Sequence, residues 1–185
     1  AAPSANRFGH VSPTTAQAVS DELSEYLRPE DHILDGGPCT VGVESTIIDC
    51  TGPTPCILRP GGITIEMIRD STGLMPLQAI DSKEEIRVSG SLDSHYAPVA
   101  TVVLDKTPVV GQGFIAVADV ATPTGVIRLA APTTHQEFAR VLYAALRAAD
   151  DQGLDVVVVQ QPAGDGIAIA IRDRLKRAAH GSAKS

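Results

Sequence analysis

Aromatic residues and long apolar runs are both scarce in this 185-residue chain. Aromatic residues make up 3% of it and tryptophan is absent, so a core has to be built from Ala, Val, Ile and Leu. Although 43% of the residues are hydrophobic, no apolar run approaches the roughly 20 residues that a membrane-spanning helix needs. The composition therefore predicts a soluble globular protein with no membrane partner, and the length allows one large domain or two ordinary ones.

Cysteine is also rare. Cys39, Cys50 and Cys56 lie in the first third of the chain without C-x-x-C spacing, and no secretory leader precedes them. The five histidines are scattered away from these thiols, a distribution that argues against a metal site. We therefore predict free thiols, a cytoplasmic location and no bound metal. The chain opens on Ala and on a loop motif, which predicts that the sequence begins in the middle of a domain.

Positive charge is in deficit, and unevenly so. The net charge is −7, with 13 acids and 6 bases in residues 1–87 and nine of each in residues 88–185. General nucleic-acid binding needs a basic surface to displace counterions, and only Arg172 to Arg177 forms a basic cluster. This cluster is typical of the end of a helix, where cations complement the helix dipole. Contact with RNA is the alternative.

Periodicity predicts mixed secondary structure in the first part of the chain. Ser12 and Pro13 are typical of an N-cap and the first helical position, followed by apolar residues at helical spacing. Short β-branched runs closed by Gly or Pro indicate strands. The predicted elements are a helix over 14–27, strands over 32–37, 45–49 and 56–59, and a short helix over 64–69.

A loosely patterned stretch over 71–99 predicts a linker, and regular alternation follows it. Thr134 and Glu137 match a capping box at the start of a long amphipathic helix, and Gly153 is a suitable end for it. The other predicted elements are strands over 100–104, 113–118, 126–129 and 155–159 and a last helix over 166–179 ending at Gly181. Strands alternating with helices predict a small α/β domain with a largely parallel sheet.

Two stretches combine Pro, Gly and small hydroxyl residues at unusual density. One is Ala2 to Asn6 running into Ser12 to Thr14, and the other is Gly42 to Thr46 followed by Leu58 to Gly61. Such loops bring backbone N–H groups and hydroxyls close to a polar ligand. They predict one nucleotide-binding site, although ordinary turns between strands would use the same residues.

The order of these strings resembles the YrdC/Sua5 family. The resemblance rests on APSAN, SPT, ILDGG, GVEST and ILRPG within residues 1–68, HYAP at 95–98, LYAALR at 142–147 and AIRDRL at 170–175. It implies an α/β fold with three parts: the C-terminal portion of a YrdC-like twisted sheet domain over 1–70, a linker over 71–99, and a small Rossmann-like Sua5 domain over 100–185. The family's lysine- and arginine-bearing motif, which belongs to the first half of the catalytic domain, has no counterpart here.

The resemblance implies an L-threonylcarbamoyladenylate synthase, a nucleotidyltransferase. Threonine, bicarbonate or CO2, and ATP with Mg2+ would give threonylcarbamoyl-AMP and pyrophosphate. The product would pass to a threonylcarbamoyl transferase complex for the t6A modification of tRNA, with tRNA itself as a further candidate partner.

The resemblance also implies roles for individual residues. Arg59 would be the catalytic cation for the phosphates and Tyr96 would close over the nucleotide. The ATP-facing loop would contain Ser4, Asn6 and Ser12, and threonine would contact Ala2 and Ser45. Helix capping at Ser12, a plain strand hydroxyl at Ser45 and a surface position for His95 are the structural alternatives. Asp35 and Glu44 are expected to be structural or solvated rather than metal ligands.

Two other functions remain open at this point. The chain could be a nucleotide- or RNA-binding module without catalysis. It could also be a purely structural α/β protein in which residues 100–185 mediate assembly or regulation and the early loops are inert. Ligand-induced stabilisation of the folded chain would separate these alternatives.

Overall fold

The computed structural model describes residues 5–78, here the first region, and residues 96–182, here the second region. None of the helices in these two ranges is long and apolar enough to cross a bilayer. The elements are α1 Ala16–Leu23, β1 Ile47–Asp49, β2 Cys56–Arg59, α2 Ile65–Thr72, β3 Leu77–Gln78, β4 Thr101–Leu104, β5 Gly113–Ile115, β6 Ile127–Ala130, α3 His135–Asp151, β7 Val156–Val159 and α4 Ile167–Ser182.

The second region is built on a four-stranded parallel sheet with strand order β4-β7-β5-β6. Side chains alternate across the sheet. Ile115, Val157 and Val159 belong to the main core, which includes the buried residues of α3 and α4. Phe114 and Val158 belong to a smaller cluster. The predicted α/β domain with a parallel sheet is therefore confirmed.

The two long helices follow the predicted signals closely. Thr134 is the N-cap of α3 and accepts a hydrogen bond from the Glu137 N–H. The Glu137 carboxylate accepts from the N–H and hydroxyl of Thr133, at 2.7 Å each, rather than from the N-cap residue itself. Gly153 adopts the left-handed conformation, with φ +64°, just beyond the helix. Helix α4 runs through the predicted stop at Gly181, because that residue is buried within the packed helix.

The first region forms a three-stranded sheet of order β1-β2-β3 and two short helices. Strands β1 and β2 are antiparallel, whereas β2 and β3 are parallel. The predicted short helix is confirmed as α2, with Thr64 as its N-cap and Gly73 in the left-handed conformation at its end. Strand β3 lies within the predicted linker and pairs with β2.

Two sequence predictions for the first region are wrong. The segment 32–37 is not a strand. No described strand pairs with it, and Leu34 is 91% exposed. Helix α1 is shorter than predicted and its N-cap is Thr15, not Ser12, since the Thr15 hydroxyl accepts from the Ala18 N–H at 3.1 Å. Pattern reading placed the cap one turn too early because both residues are cap formers.

The two regions pack directly against each other. Val11 of the first region is 3% exposed within the main core, and Val43 packs at its edge. Gly42 lies so close to α3 that an added Cβ would be 2.3 Å from the Arg140 Cα. Only glycine fits there, because the contact is with helix backbone and φ is +86°. This packing places the Gly42–Thr46 loop against the second region.

Candidate functional site

The Gly42–Thr46 and Leu58–Gly61 loops meet at Arg59. Its Nε and Nη2 donate to the Ser45 carbonyl at 3.1 and 2.9 Å, and Nη2 also donates to the Ser45 hydroxyl at 3.2 Å. Gly61 allows the close approach, since an added Cβ would be 2.4 Å from the Glu44 carbonyl oxygen. The residue predicted to bind phosphates and one predicted to bind threonine are therefore neighbours.

The Val11–Thr14 loop joins the same place through Ser12. The Ser12 hydroxyl donates to Glu44 Oε1 at 2.7 Å. This contact explains why Ser12 does not cap α1. We call the three segments Val11–Thr14, Gly42–Thr46 and Leu58–Gly61 the loop cluster. It brings together Ser12, Ser45 and Arg59 of the predicted site residues.

The other predicted site residues are placed differently. Asn6 is half-buried and its side-chain amide donates to the Arg7 carbonyl at 3.4 Å. Tyr96 is 2% exposed, and its ring lies 5.8 Å from the Tyr143 ring. It is thus buried within the main core of the second region, and its closure over a nucleotide stays a prediction. The predictions for Ala2, Ser4 and His95 fall outside the described residues.

Glu44 lies at the centre of the hydrogen bonds around the loop cluster. Besides Ser12, its carboxylate accepts from the Tyr143 hydroxyl at 3.0 and 2.9 Å and from Arg174 Nε at 2.6 Å. Arg174 is fully buried, and its Nη2 donates to the Pro60 carbonyl at 2.9 Å. The expectation that Glu44 is structural agrees with these contacts.

The charges of this group reinforce one another. Burial raises the pKa of Glu44, but the Arg174 charge and the hydrogen bonds from Arg174 and Ser12 outweigh burial and lower it overall. Burial, followed by the Glu44 charge, raises the pKa of Tyr143 well above its ordinary value. Near neutral pH Glu44 is therefore an anion facing a cation and a protonated phenol, which donates to it.

Sequence reasoning missed the partners that the second region contributes. Arg174, Tyr143 and Arg147 lie inside the LYAALR and AIRDRL strings, which indicate the family resemblance but no role for these side chains. A signal was present at Arg174, because Ala170, Ile171 and Ala178 at helical spacing around it are apolar and buried. A cation inside an apolar helix stripe indicates a buried partner.

Two cavities open along the seam between the regions. One, of 410 Å³, lies beside Pro60 and Gly61 of the loop cluster and is bordered by Arg172 and Lys176 of α4. The other, of 480 Å³, lies between α2 and the first residues of α3 and α4. Within the two described ranges, no group of three His, Cys, Asp or Glu side chains could hold a metal ion. The seam provides space for a ligand beside the loop cluster.

The fold and the loop cluster define an α/β protein whose polar, Gly- and Pro-rich loops are seated against a parallel-sheet domain. The family profile described as "Threonylcarbamoyl-AMP synthase, C-terminal domain" matches residues 63–180. A second profile of the same family group, described as "Telomere recombination", matches residues 1–61. The chain belongs to the YrdC/Sua5 family, so the resemblance and the α/β fold class are confirmed. The division into parts over 1–70, 71–99 and 100–185 stays a prediction.

Similar proteins support this membership. The threonylcarbamoyl-AMP synthases of Pyrococcus abyssi and Bacillus subtilis are each 32% identical to the chain, over 96% and 98% of its length. A crystal structure of P. abyssi Sua5 complexed with L-threonine superposes with a TM-score of 0.77, at 29% identity over 97% of the chain. The chain spans 57% of each of these three relatives.

Another solved structure is of a P. abyssi Sua5 variant in which an adjacent His–Tyr pair is replaced by alanine. It superposes with a TM-score of 0.76, at 28% identity over 97% of this chain and 56% of that one. The present chain also has an adjacent His–Tyr pair, at 95–96.

Proposed function

We propose that this chain carries part of the active site of an L-threonylcarbamoyladenylate synthase. The supporting observation is the Arg59–Ser45 contact beside Ser12, because it joins residues expected at the phosphates, the threonine and the nucleotide. Family membership and the naming of the relatives agree with it.

The reaction asks for positioning and for positive charge. The threonine amine attacks CO2, or bicarbonate with loss of water, to form a carbamate. A carbamate oxygen then attacks the α-phosphorus of ATP, and the bond to pyrophosphate breaks. Arg59 is suited to the phosphates because its planar guanidinium is a persistent cation held in place by Ser45. Mg2+ arrives with ATP as part of the substrate.

Catalysis here would come mainly from orientation and electrostatics. The loop cluster supplies hydroxyls, backbone N–H groups and a cation, whereas Glu44 is already paired and is not proposed as a general base. The carbamate must be kept from water, and the seam beside the loop cluster gives a partly shielded place for it. We place the reaction in the cytoplasm, with the product passing to a threonylcarbamoyl transferase complex and tRNA as a further candidate partner.

The alternative function is a nucleotide-binding module without catalysis. The chain spans little more than half the length of its relatives. A chain that binds ATP but forms no adenylate would fit this alternative.

The first test is threonine-dependent pyrophosphate release from MgATP in bicarbonate buffer. It compares this chain with a version that includes any residues encoded upstream of Ala1. In the active form, Arg59→Met should lower kcat/KM about 100-fold, the scale of losing one charge-stabilising group. Arg69→Met is the matched control, because Arg69 lies on α2 and its guanidinium pairs with the exposed Asp70.

The outcomes separate the functions. Activity that depends on Arg59 but not Arg69 supports the synthase. No activity in either folded version overturns the synthase and leaves a binding or structural role. If the enzyme is active and Arg59→Met does not lower kcat/KM, the proposed reaction stands but the proposed role of Arg59 is wrong.

A further inference from the structure

All three segments of the loop cluster are held by side chains of the second region. Arg147 on α3 donates to the Val11 carbonyl and to Glu22. Arg174 on α4 donates to Glu44 at 2.6 Å and to the Pro60 carbonyl at 2.9 Å. The second region is therefore attached to the loops themselves and not only to the surface beneath them.

Arg174 occupies a special place among these contacts. Glu44 directly precedes Ser45, and Pro60 directly follows Arg59. Arg174 thus holds one neighbour of each residue in the Ser45–Arg59 contact. A change in its position would shift both sides of that contact together.

We propose that Arg174 is a positioning residue for substrate binding, acting through Glu44 and Pro60 on the Ser45–Arg59 pair. This inference rests on the proposed function and extends it. Arg174 then contributes to threonine and ATP binding without touching either substrate.

The geometry requires arginine rather than lysine. Nε donates to Glu44, Nη2 to Pro60 and Nη1 to the neighbouring Asp173, so the three nitrogens of the guanidinium have separate acceptors. A lysine ammonium is a single point on a flexible stem and could not reach all of them in one plane. The Tyr96 ring also lies against the guanidinium, with its centroid 5.3 Å from Cζ.

A purely structural role would have a different kinetic signature. If Arg174 only held the two regions together, its loss would reduce the fraction of folded enzyme. That loss would lower kcat per mole of protein and leave KM unchanged. Misplaced binding residues would instead raise KM for the folded enzyme.

The kinetic test uses the full enzyme with threonine and MgATP, below the unfolding temperature of each variant. Arg174→Met should raise KM for threonine at least about tenfold, and Arg174→Lys should fall between it and the wild type. Glu44→Gln should weaken the same binding. The double variant should be little worse than the worse single variant, because both changes break one linkage.

Arg128→Met is the matched control. Arg128 lies on β6, away from both cavities, and its guanidinium donates to the Ala116 and Val120 carbonyls within the second region. The control should retain wild-type KM. A folded Arg174→Met enzyme with unchanged KM for both substrates, or with kcat alone reduced, would overturn the inference.

A second measurement does not depend on activity. Amide hydrogen exchange in Arg174→Met should accelerate in residues 42–46 and 58–61, with the β7 and α3 amides unchanged. Arg128→Met should leave the exchange of both loops as in the wild type. Unaltered exchange in both loops would overturn the inference even if the enzyme proved inactive. An inactive wild type with loop exchange changed as expected would instead count against the proposed function alone.

Discussion

The two regions of the chain bury their apolar residues to very different extents. Helix α3 alone buries seven residues, whereas α1 buries none. Twelve large apolar residues of the described ranges are exposed, and nine of them lie between residues 8 and 77. The second region thus has a dense core of its own, while the first region shares its best-buried contacts, such as Val11, with the second.

This difference separates stability from the candidate site. Four of the predicted ligand contacts, Asn6, Ser12, Ser45 and Arg59, lie in the first region. Few apolar groups are buried there, and segments of that kind open most easily. The second region holds the loops in place, because Gly42 packs closely against α3 and Arg174 on α4 binds Glu44. The densely packed second region therefore supports the loops of the candidate site.

We expect the largest loss of stability from a cavity in the core of the second region. Leu142→Ala removes a fully buried side chain and should lower the free energy of unfolding by about 2–5 kcal/mol. Leu34→Ala makes the same change at a 91% exposed position and should cost less than about 0.5 kcal/mol. Urea unfolding followed by circular dichroism measures both. Similar losses for the two variants would show that the second region is no more densely packed around Leu142 than the first region is around Leu34.

The next effect concerns the seat of the Gly42–Thr46 loop. Gly42→Ala places a Cβ 2.3 Å from the Arg140 Cα, so the loop has to move away from α3. We expect a cost of about 1–3 kcal/mol beyond the backbone strain itself. Hydrogen exchange in the loop and urea unfolding would show the displacement.

Gly37→Ala is the control for backbone strain. Gly37 has nearly the same φ, +84°, but nothing lies within 4 Å of an added Cβ. Its cost should therefore be the left-handed strain alone, about 1–2 kcal/mol. If Gly42→Ala were no more destabilising than Gly37→Ala, the loop would not be seated on α3 as the structure shows.

The accuracy of the sequence predictions also differs between the two regions. In the second region, capping residues, an amphipathic stripe and a β-branched run place α3, β7 and α4 within a few residues. In the first region, the run at 32–37 has the composition of a strand but no described neighbour to pair with. Local pattern identifies elements well where each has a packed partner, and poorly where the partner is missing.

The candidate site was predictable only in part. The hydroxyl and arginine residues of the loops were found by motif, and the structure brings Ser12, Ser45 and Arg59 together. Glu44 and Arg174 lie 130 residues apart, so no local pattern could pair them. Ser12 illustrates the difficulty, because a hydroxyl residue before a helix is typical of an N-cap. Its hydrogen bond to the distant Glu44 carboxylate is visible only in the structure.

The smallest expected effect is a pH dependence at the contact between the regions. Burial raises the pKa of Glu44, but Arg174 and Ser12 lower it overall, below its ordinary value of 4.5. The unfolded chain therefore binds this proton more readily than the folded one. The resulting stability is present above about pH 4.5 and is lost as the pH falls through the folded-state pKa.

Glu44→Gln isolates the contribution of Glu44 to the pH dependence of stability, because glutamine cannot titrate. The variant should be less stable than the wild type at pH 7, and the gap should narrow as the pH falls below 4.5, since the wild type then loses the same charge. Urea unfolding from pH 7 to the onset of acid denaturation measures the gap. Asp31, Asp49, Glu66 and Glu137 also have lowered pKa values and are present in both proteins, so each keeps some acid dependence. A gap that stayed constant or widened in acid would show that Glu44 is not held as an anion by Arg174. The second region would then support the loops by packing and by its hydrogen bonds to the Val11 and Pro60 carbonyls.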